Sequence, residues 1–209
     1  MTTFHPTLAL VRQDVPPEPT TPLGARSDDE LMLLARGGVS AAFDTLVRRY
    51  QTQALRLATR QLGNVGSAAD VAQNAFLAVY RAVPRYEARD RFAPFFYRTV
   101  LNECRMAQRW LRVRGGATRG PGEALAGDDT ISSPTPSAEA MILARERERD
   151  AAAALARLSD KLRAVVSLRY GAELSYGEIA ETLQVPVGTV KRRLFDAMEK
   201  LRRHLGKTP

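Results

Sequence analysis

A single cysteine, Cys104, excludes a disulfide inside the chain and any zinc site built on paired cysteines. The two histidines, His5 and His204, lie near opposite ends, so no metal cluster is expected, and nothing in the sequence calls for a cofactor. No run approaches the roughly 18 apolar residues of a membrane span. The opening MTTFHPTLALVRQDVPPEP lacks the basic start and long apolar stretch of a signal peptide. Neither membrane insertion nor export is expected, which implies a cytoplasmic protein. Strand-type alternation and internal repeats are missing too. So are a glycine-rich phosphate loop, a Ser/His/Asp set and a believable carboxylate pair. An enzyme therefore has no residues to support it.

Present in excess is arginine. Of 31 basic residues only 4 are lysine, and the net charge is +8. Arginine suits phosphate and base recognition, although a GC-rich genome produces the same bias. The charge is unevenly placed: residues 28–116 carry net +6 and residues 145–209 net +5, while 117–144 carry −3. Two basic blocks around an acidic segment point to a polyanion met twice. Periodicity divides the 209 residues into an all-α chain of two small helical domains joined by a flexible linker, the second a helix-turn-helix domain. Residues 1–26, with five prolines, are expected to be a disordered arm. The first domain spans 27–113, the acidic linker 114–136 and the second domain 137–209.

The most legible stretch is SYGEIAETLQVPVGTVKRRLFDAMEKLRRHL, Ser175 to Leu205. Ser175 and Glu178 form a capping box, so a helix starts at Tyr176. Gln184 to Pro186 make a turn, and Pro186 suits the start of a second helix from Val187 to Leu205. That helix has an apolar seam of Val190, Leu194, Ala197/Met198, Leu201 and Leu205. Opposite it fall Gly188, Lys191, Arg192, Phe195 and Glu199. Cations for phosphate or guanine, a ring for a thymine methyl and a helix N-terminus are what a major-groove reader needs. A solvated face has no use for an exposed Phe.

The first domain opens with a second capping box, Ser27 to Glu30, and a short helix that Gly37-Gly38 ends. A longer helix over 40–62 carries apolar Phe43, Leu46, Val47, Tyr50, Ala54, Leu57, Ala58 and Leu62 at helical spacing. Ser67 is expected to cap the next, over 68–83, whose core side is Val71, Ala72, Ala75, Phe76, Val79 and Val83. Asp70, Gln73, Asn74, Leu77 and Arg81 share its other side. Periodicity alone leaves two readings of that stripe: a solvated face, or a docking face centred on Leu77. After the charged loop RYEARDR come Phe92, Phe95, Phe96, Tyr97 and Arg98. Phe96 and Tyr97 are expected in the core, whereas Phe92 and Phe95 are open to base stacking. Arg98, Asn102, Arg105, Arg109 and Arg112 follow at helical spacing, with Val100, Cys104, Ala107 and Leu111 opposite. Four arginines on one stripe repel each other unless an anion lies along it. Asn suits base edges.

Together these residues resemble a known family. AFDTLVRRYQ (42–51), DVAQNAFLAVYRA (70–82), the Phe92–Asn102 aromatic–arginine pattern and LSYGEIAETLQVPVGTVKRRL (174–194) look like a group 4, extracytoplasmic-function sigma factor of bacterial RNA polymerase. The resemblance implies a chain that binds core RNA polymerase, recognises minus-35 and minus-10 promoter elements and promotes DNA opening. By it, Asp70, Gln73, Asn74, Leu77 and Arg81 would dock on the polymerase. Phe92, Phe95, Arg98, Asn102, Arg105 and Arg109 would take the melted non-template strand, with a flipped base held by the loop at 84–93. Gly188, Thr189, Lys191, Arg192, Arg193 and Phe195 would read minus-35 duplex. An anti-sigma factor would be a further partner. Two departures stand out: Asn74 where an acid is commoner, and Asp196 where a base is common. The competing reading is a stand-alone helix-turn-helix regulator, which leaves the first domain unused.

Overall fold

The computed structural model describes residues 22–63, 65–113, 146 and 149–205. Among them there is no strand. The first half contains α1 (Asp28–Arg36), α2 (Ser40–Leu62), α3 (Val65–Ala82) and α4 (Phe92–Val113). The second contains helical residues 149–156 (α5), then α6 (Asp160–Gly171), α7 (Tyr176–Leu183) and α8 (Val187–Leu205). Both capping boxes form: the Ser27 and Ser175 hydroxyls accept from the amides of Glu30 and Glu178, whose carboxylates accept in return from the two serine amides. Gly63 closes α2 at φ 74°, a left-handed conformation that glycine adopts without strain.

Three boundaries differ from the sequence expectation. Helix α3 begins at Val65, so Ser67 lies within its first turn rather than capping it. Leu158-Ser159-Asp160 reads as a break with Ser159 as the cap; Ser159 does precede α6, but its side chain makes no capping hydrogen bond. The expected disordered arm is ordered at its end. Leu23–Ala25 form a 3-10 turn, and Arg49 on α2 donates to the carbonyls of Gly24 and Arg26 and pairs with Asp28 at 2.6 Å. The rest of the arm, the linker and 137–145 lie outside the described residues.

The core of the first half is aromatic. Tyr50, Phe92, Phe96 and Tyr97 pack with ring centroids 4.8–6.0 Å apart. Edge-to-face rings at such distances add about 0.5–1.5 kcal/mol per pair beyond area burial. Phe96, Leu31, Leu46, Val79 and Val100 are fully buried around them. Cys104 is buried as expected, and desolvation pushes its thiol pKa up to about 12.

The halves are not separate bodies. Helix α6 packs on α2 and α7 packs on α4, and one continuous apolar core runs from Leu31 to Ala197. At the junction lies Arg163 of α6, only 8% exposed. It donates to the carbonyls of Leu155, Ala156 and Leu158 in its own half and to Gln61 across the junction at 2.9 Å. A buried guanidinium is tolerated when its donors are matched in this way.

Candidate polymerase and nucleic-acid interface

The fold turns the candidate residues outward. On α3, Asp70, Gln73, Asn74, Leu77 and Arg81 are all exposed while Val71, Ala75 and Val79 are buried behind them. Leu77 is 43% exposed and Tyr80 57%, so the stripe is not purely polar. Asp70 and Asn74 line a groove of about 360 Å³ between α3 and α4, with Glu103, Met106 and Trp110 on its other wall. Met106 and Trp110 are exposed, apolar and four residues apart; sequence reading passed over them. Their spacing with Glu103 just off the core seam was the available signal.

On α4, Asn102, Arg105 and Arg109 are exposed and Arg98 is half-buried. Arg105 donates to the Asn102 side-chain oxygen at 2.8 Å, so part of the stripe is tied to itself. Phe92 departs from expectation. It is 2% exposed, with its ring against Tyr50, Tyr86, Phe95 and Phe96. It supports the core and presents no face to a base in this form. Phe95, half-buried, keeps its ring at the surface next to Tyr86.

Between α3, the 83–91 segment and α4 lies a cavity of about 650 Å³. Its walls carry five arginines, Arg81, Arg85, Arg89, Arg91 and Arg98, together with Tyr86 and Phe95. Arg81, placed by sequence on the docking stripe, thus shares a cavity with Arg98. The segment is held from beneath by α1. Buried Asp29 accepts from the Tyr86 hydroxyl and the Arg89 amide, both at 2.9 Å, and from the Phe92 amide at 3.4 Å. Arg36 donates to the Tyr86 carbonyl at 3.0 Å. Burial first, then the Asp29 hydrogen bond, raises the Tyr86 pKa, so its phenol stays protonated as the donor. Asp29 is a positioning residue that sequence reasoning missed, because its partners lie about sixty positions away. Two carboxylates stand among the five arginines: Glu87, which pairs with Arg89, and Glu181 of α7, which accepts from Arg91 at 3.2 Å.

Helix α8 presents the expected reading face. Gly188, Lys191, Arg192 and Phe195 are exposed, Phe195 by 69%, while Val190, Leu194 and Ala197 are buried. Thr189, Arg193 and Asp196 lie half-buried on its flanks. Among the described residues no hydrogen bond or ion pair of Lys191 or Arg192 competes for the face. Among the described residues no cluster of His, Cys, Asp and Glu is placed to hold a metal, and no helix is long and apolar enough to cross a membrane.

Comparison with known proteins finds two family models on the chain. Residues 46–112 match the family model for Sigma-70 region 2, and residues 154–203 the model for Sigma-70, region 4. RNA polymerase sigma-H factor of Pseudomonas aeruginosa is 33% identical over 185 residues, 86% of this chain and 94% of that one. ECF RNA polymerase sigma-E factor of Haemophilus influenzae is 30% identical over 182 residues, 84% and 93% of the two chains. Among solved structures, CnrH in complex with the cytosolic domain of CnrY superposes with a TM-score of 0.64 at 25% identity, covering 87% of this chain and 99% of that one.

Proposed function

The chain belongs to the extracytoplasmic-function branch of the sigma-70 family, and from that premise we propose how its faces divide the work of starting transcription. It is a promoter-recognising sigma factor that directs RNA polymerase. The exposed α3 stripe, with Leu77 at its centre and Asp70 and Asn74 beside Trp110 and Met106, docks on core polymerase. Asn74 removes one charge from that contact, and the apolar neighbours supply area in its place. The α8 face reads minus-35 duplex: Lys191 and Arg192 take phosphates or guanine edges, and Phe195 meets a thymine methyl. The α4 stripe and the arginine cavity take the separated non-template strand of the minus-10 element.

The observation that carries this reading is the cavity. Five arginine side chains and two aromatic rings line one hollow of about 650 Å³, at the head of a helix stripe that continues through Asn102, Arg105 and Arg109. Phosphates attract the guanidiniums, and an unstacked base finds Tyr86 and Phe95. A duplex has no unstacked base to offer. The chain makes and breaks no bond; binding of the separated strand stabilises the open complex. It acts where the polymerase acts, in the cytoplasm, and an anti-sigma factor is a further partner; CnrH too was solved in complex with another polypeptide, the cytosolic domain of CnrY.

The test uses purified chain with core polymerase on pooled genomic promoters. Run-off transcripts and permanganate-reactive thymines near minus-10 are expected. Arg98→Ala with Asn102→Ala should lower permanganate reactivity about thirtyfold, two contacts of about 1 kcal/mol each, with core binding unchanged. Loss of core binding instead would show that the stripe is structural.

A further inference from the structure

We infer that Arg105 decides which base Asn102 accepts: by engaging the Asn102 side-chain oxygen it turns the amide NH2 outward, so that the minus-10 reader selects the keto edge of thymine or guanine over the amino edge of adenine or cytosine. The inference rests on the sigma reading and adds to it a base preference and the positioning residue that imposes it.

Donor chemistry gives the first argument. A guanidinium carries donors and no acceptor, so only the oxygen end of an amide can face it. Arg105 donates from Nη1 to Asn102 Oδ1 at 2.8 Å. The pair is spaced i, i+3 on α4, where helix geometry brings side chains together, and both residues are exposed. Among the described residues no ion pair competes for the Arg105 guanidinium, and the Asn102 amino group donates to nothing. An unencumbered asparagine reads adenine bidentately, its oxygen accepting from N6 and its NH2 donating to N7. Here the remaining lone pair of Oδ1 lies beside the guanidinium, so an adenine amino group reaching it meets N–H donors. Cytosine offers an amino group at the same edge and meets the same donors. Thymine O4 and guanine O6 accept from them instead.

The stripe around the pair gives the second argument. Arg98, Arg105, Arg109 and Arg112 share one face of α4 with Asn102. None of these arginines can accept a hydrogen bond. Asn102 Oδ1 is the one side-chain acceptor of the stripe, and Arg105 engages it. Glu103, the neighbouring carboxylate, lies round the helix on the wall of the groove toward α3. The face therefore presents donors outward. A strand laid along it must bring acceptors: phosphate oxygens for the guanidiniums and a keto oxygen for Asn102. Backbone binding and base selection do not compete at Arg105. With Nη1 on Asn102, its Nε and Nη2 groups remain to hold a phosphate.

The test takes a genomic promoter that the full chain transcribes with core polymerase, randomises its minus-10 element, and gives each template a barcode in the transcribed part. Transcript barcodes then report base preference at every position. The wild-type chain should favour T or G over A or C about fivefold at one position, the worth of one hydrogen bond. Asn102→Asp keeps the size and the Arg105 partner but turns an acceptor outward, so preference at that position should reverse to A or C by a similar factor. Arg105→Ala releases the oxygen, and adenine should gain about fivefold on thymine there. Arg109→Ala removes a cation from the same stripe without touching Asn102; total output should fall while the base ratios stay as in wild type. Three results would each overturn the inference: no position altered by Asn102→Asp, a wild-type preference for adenine at the position it alters, or equal shifts from Arg105→Ala and Arg109→Ala. All three leave the sigma reading standing, because transcripts are made. Absence of a transcript from every genomic promoter refutes that reading instead.

Discussion

The two DNA-facing surfaces are made differently. The α8 face is carried by one helix: its seam is buried, and its cations and Phe195 project outward. The arginine cavity is assembled from four segments, α3, the 83–91 loop, α4 and, through Glu181, α7, and is set by a fifth, α1, through Asp29 and Arg36. A single-helix face tolerates local change, whereas an assembled site depends on groups that touch no ligand. Asp29→Ala tests this most severely. It leaves the Tyr86 hydroxyl and two backbone amides without their acceptor in a buried place, a loss of about 3 kcal/mol in folding stability. Urea unfolding should show that loss, and permanganate reactivity at minus-10 should fall even where the chain is still folded. Duplex binding through α8 should stay within twofold of wild type. Equal loss at both surfaces would show that they are not independent.

The same contrast explains what was legible in the sequence. The α8 face follows from a 3.6-residue period and a local capping box, both contained within thirty residues, and Tyr176, Pro186 and Val187 mark its boundaries as the structure has them. The α3 stripe was legible as a face, and its exposed Leu77 was correctly placed at the centre. The cavity was not legible as a cavity. Its arginines were visible, but Asp29 meets Tyr86 across 57 positions, and no local pattern records that pairing. Phe92 shows the limit from the other side: it stands beside charged residues in the chain, yet Tyr50 and Tyr86 close over its ring. Arg163 was equally hidden, because its acceptor on α2 lies 102 residues away.

Phe195→Ala sharpens the comparison from the opposite side. Its ring is 69% exposed, so truncation removes no core contact and the urea midpoint should not fall. Duplex fragments selected from genomic DNA by the wild-type chain should bind about fivefold more weakly, the order of one lost apolar contact to a thymine methyl. The loss should be confined to sites carrying that thymine. A matching fall in stability would mean that the ring holds the helix-turn-helix together rather than reading DNA.

The smallest expected effect is at Asp196, beside Phe195 and half-buried on the flank of the α8 face. An acid there repels a phosphate, and Arg193 stands on the same flank to offset it. Asp196→Arg changes the local charge by two. If the position faces only the backbone, duplex binding should tighten about threefold at 0.15 M salt, the salt slope should steepen by about 0.9, and the gain should vanish near 0.5 M. Base preference should not change, because phosphate contacts carry no sequence information. Single-strand binding should not change either, since the cavity is built from other segments. A carboxylate can instead accept from the N4 amino group of cytosine. In that case the substitution would relax preference at one base pair, and the selected duplexes would lose that cytosine. Asp196 would then be a specificity residue of the minus-35 reader, and the α8 face would extend one position beyond Phe195.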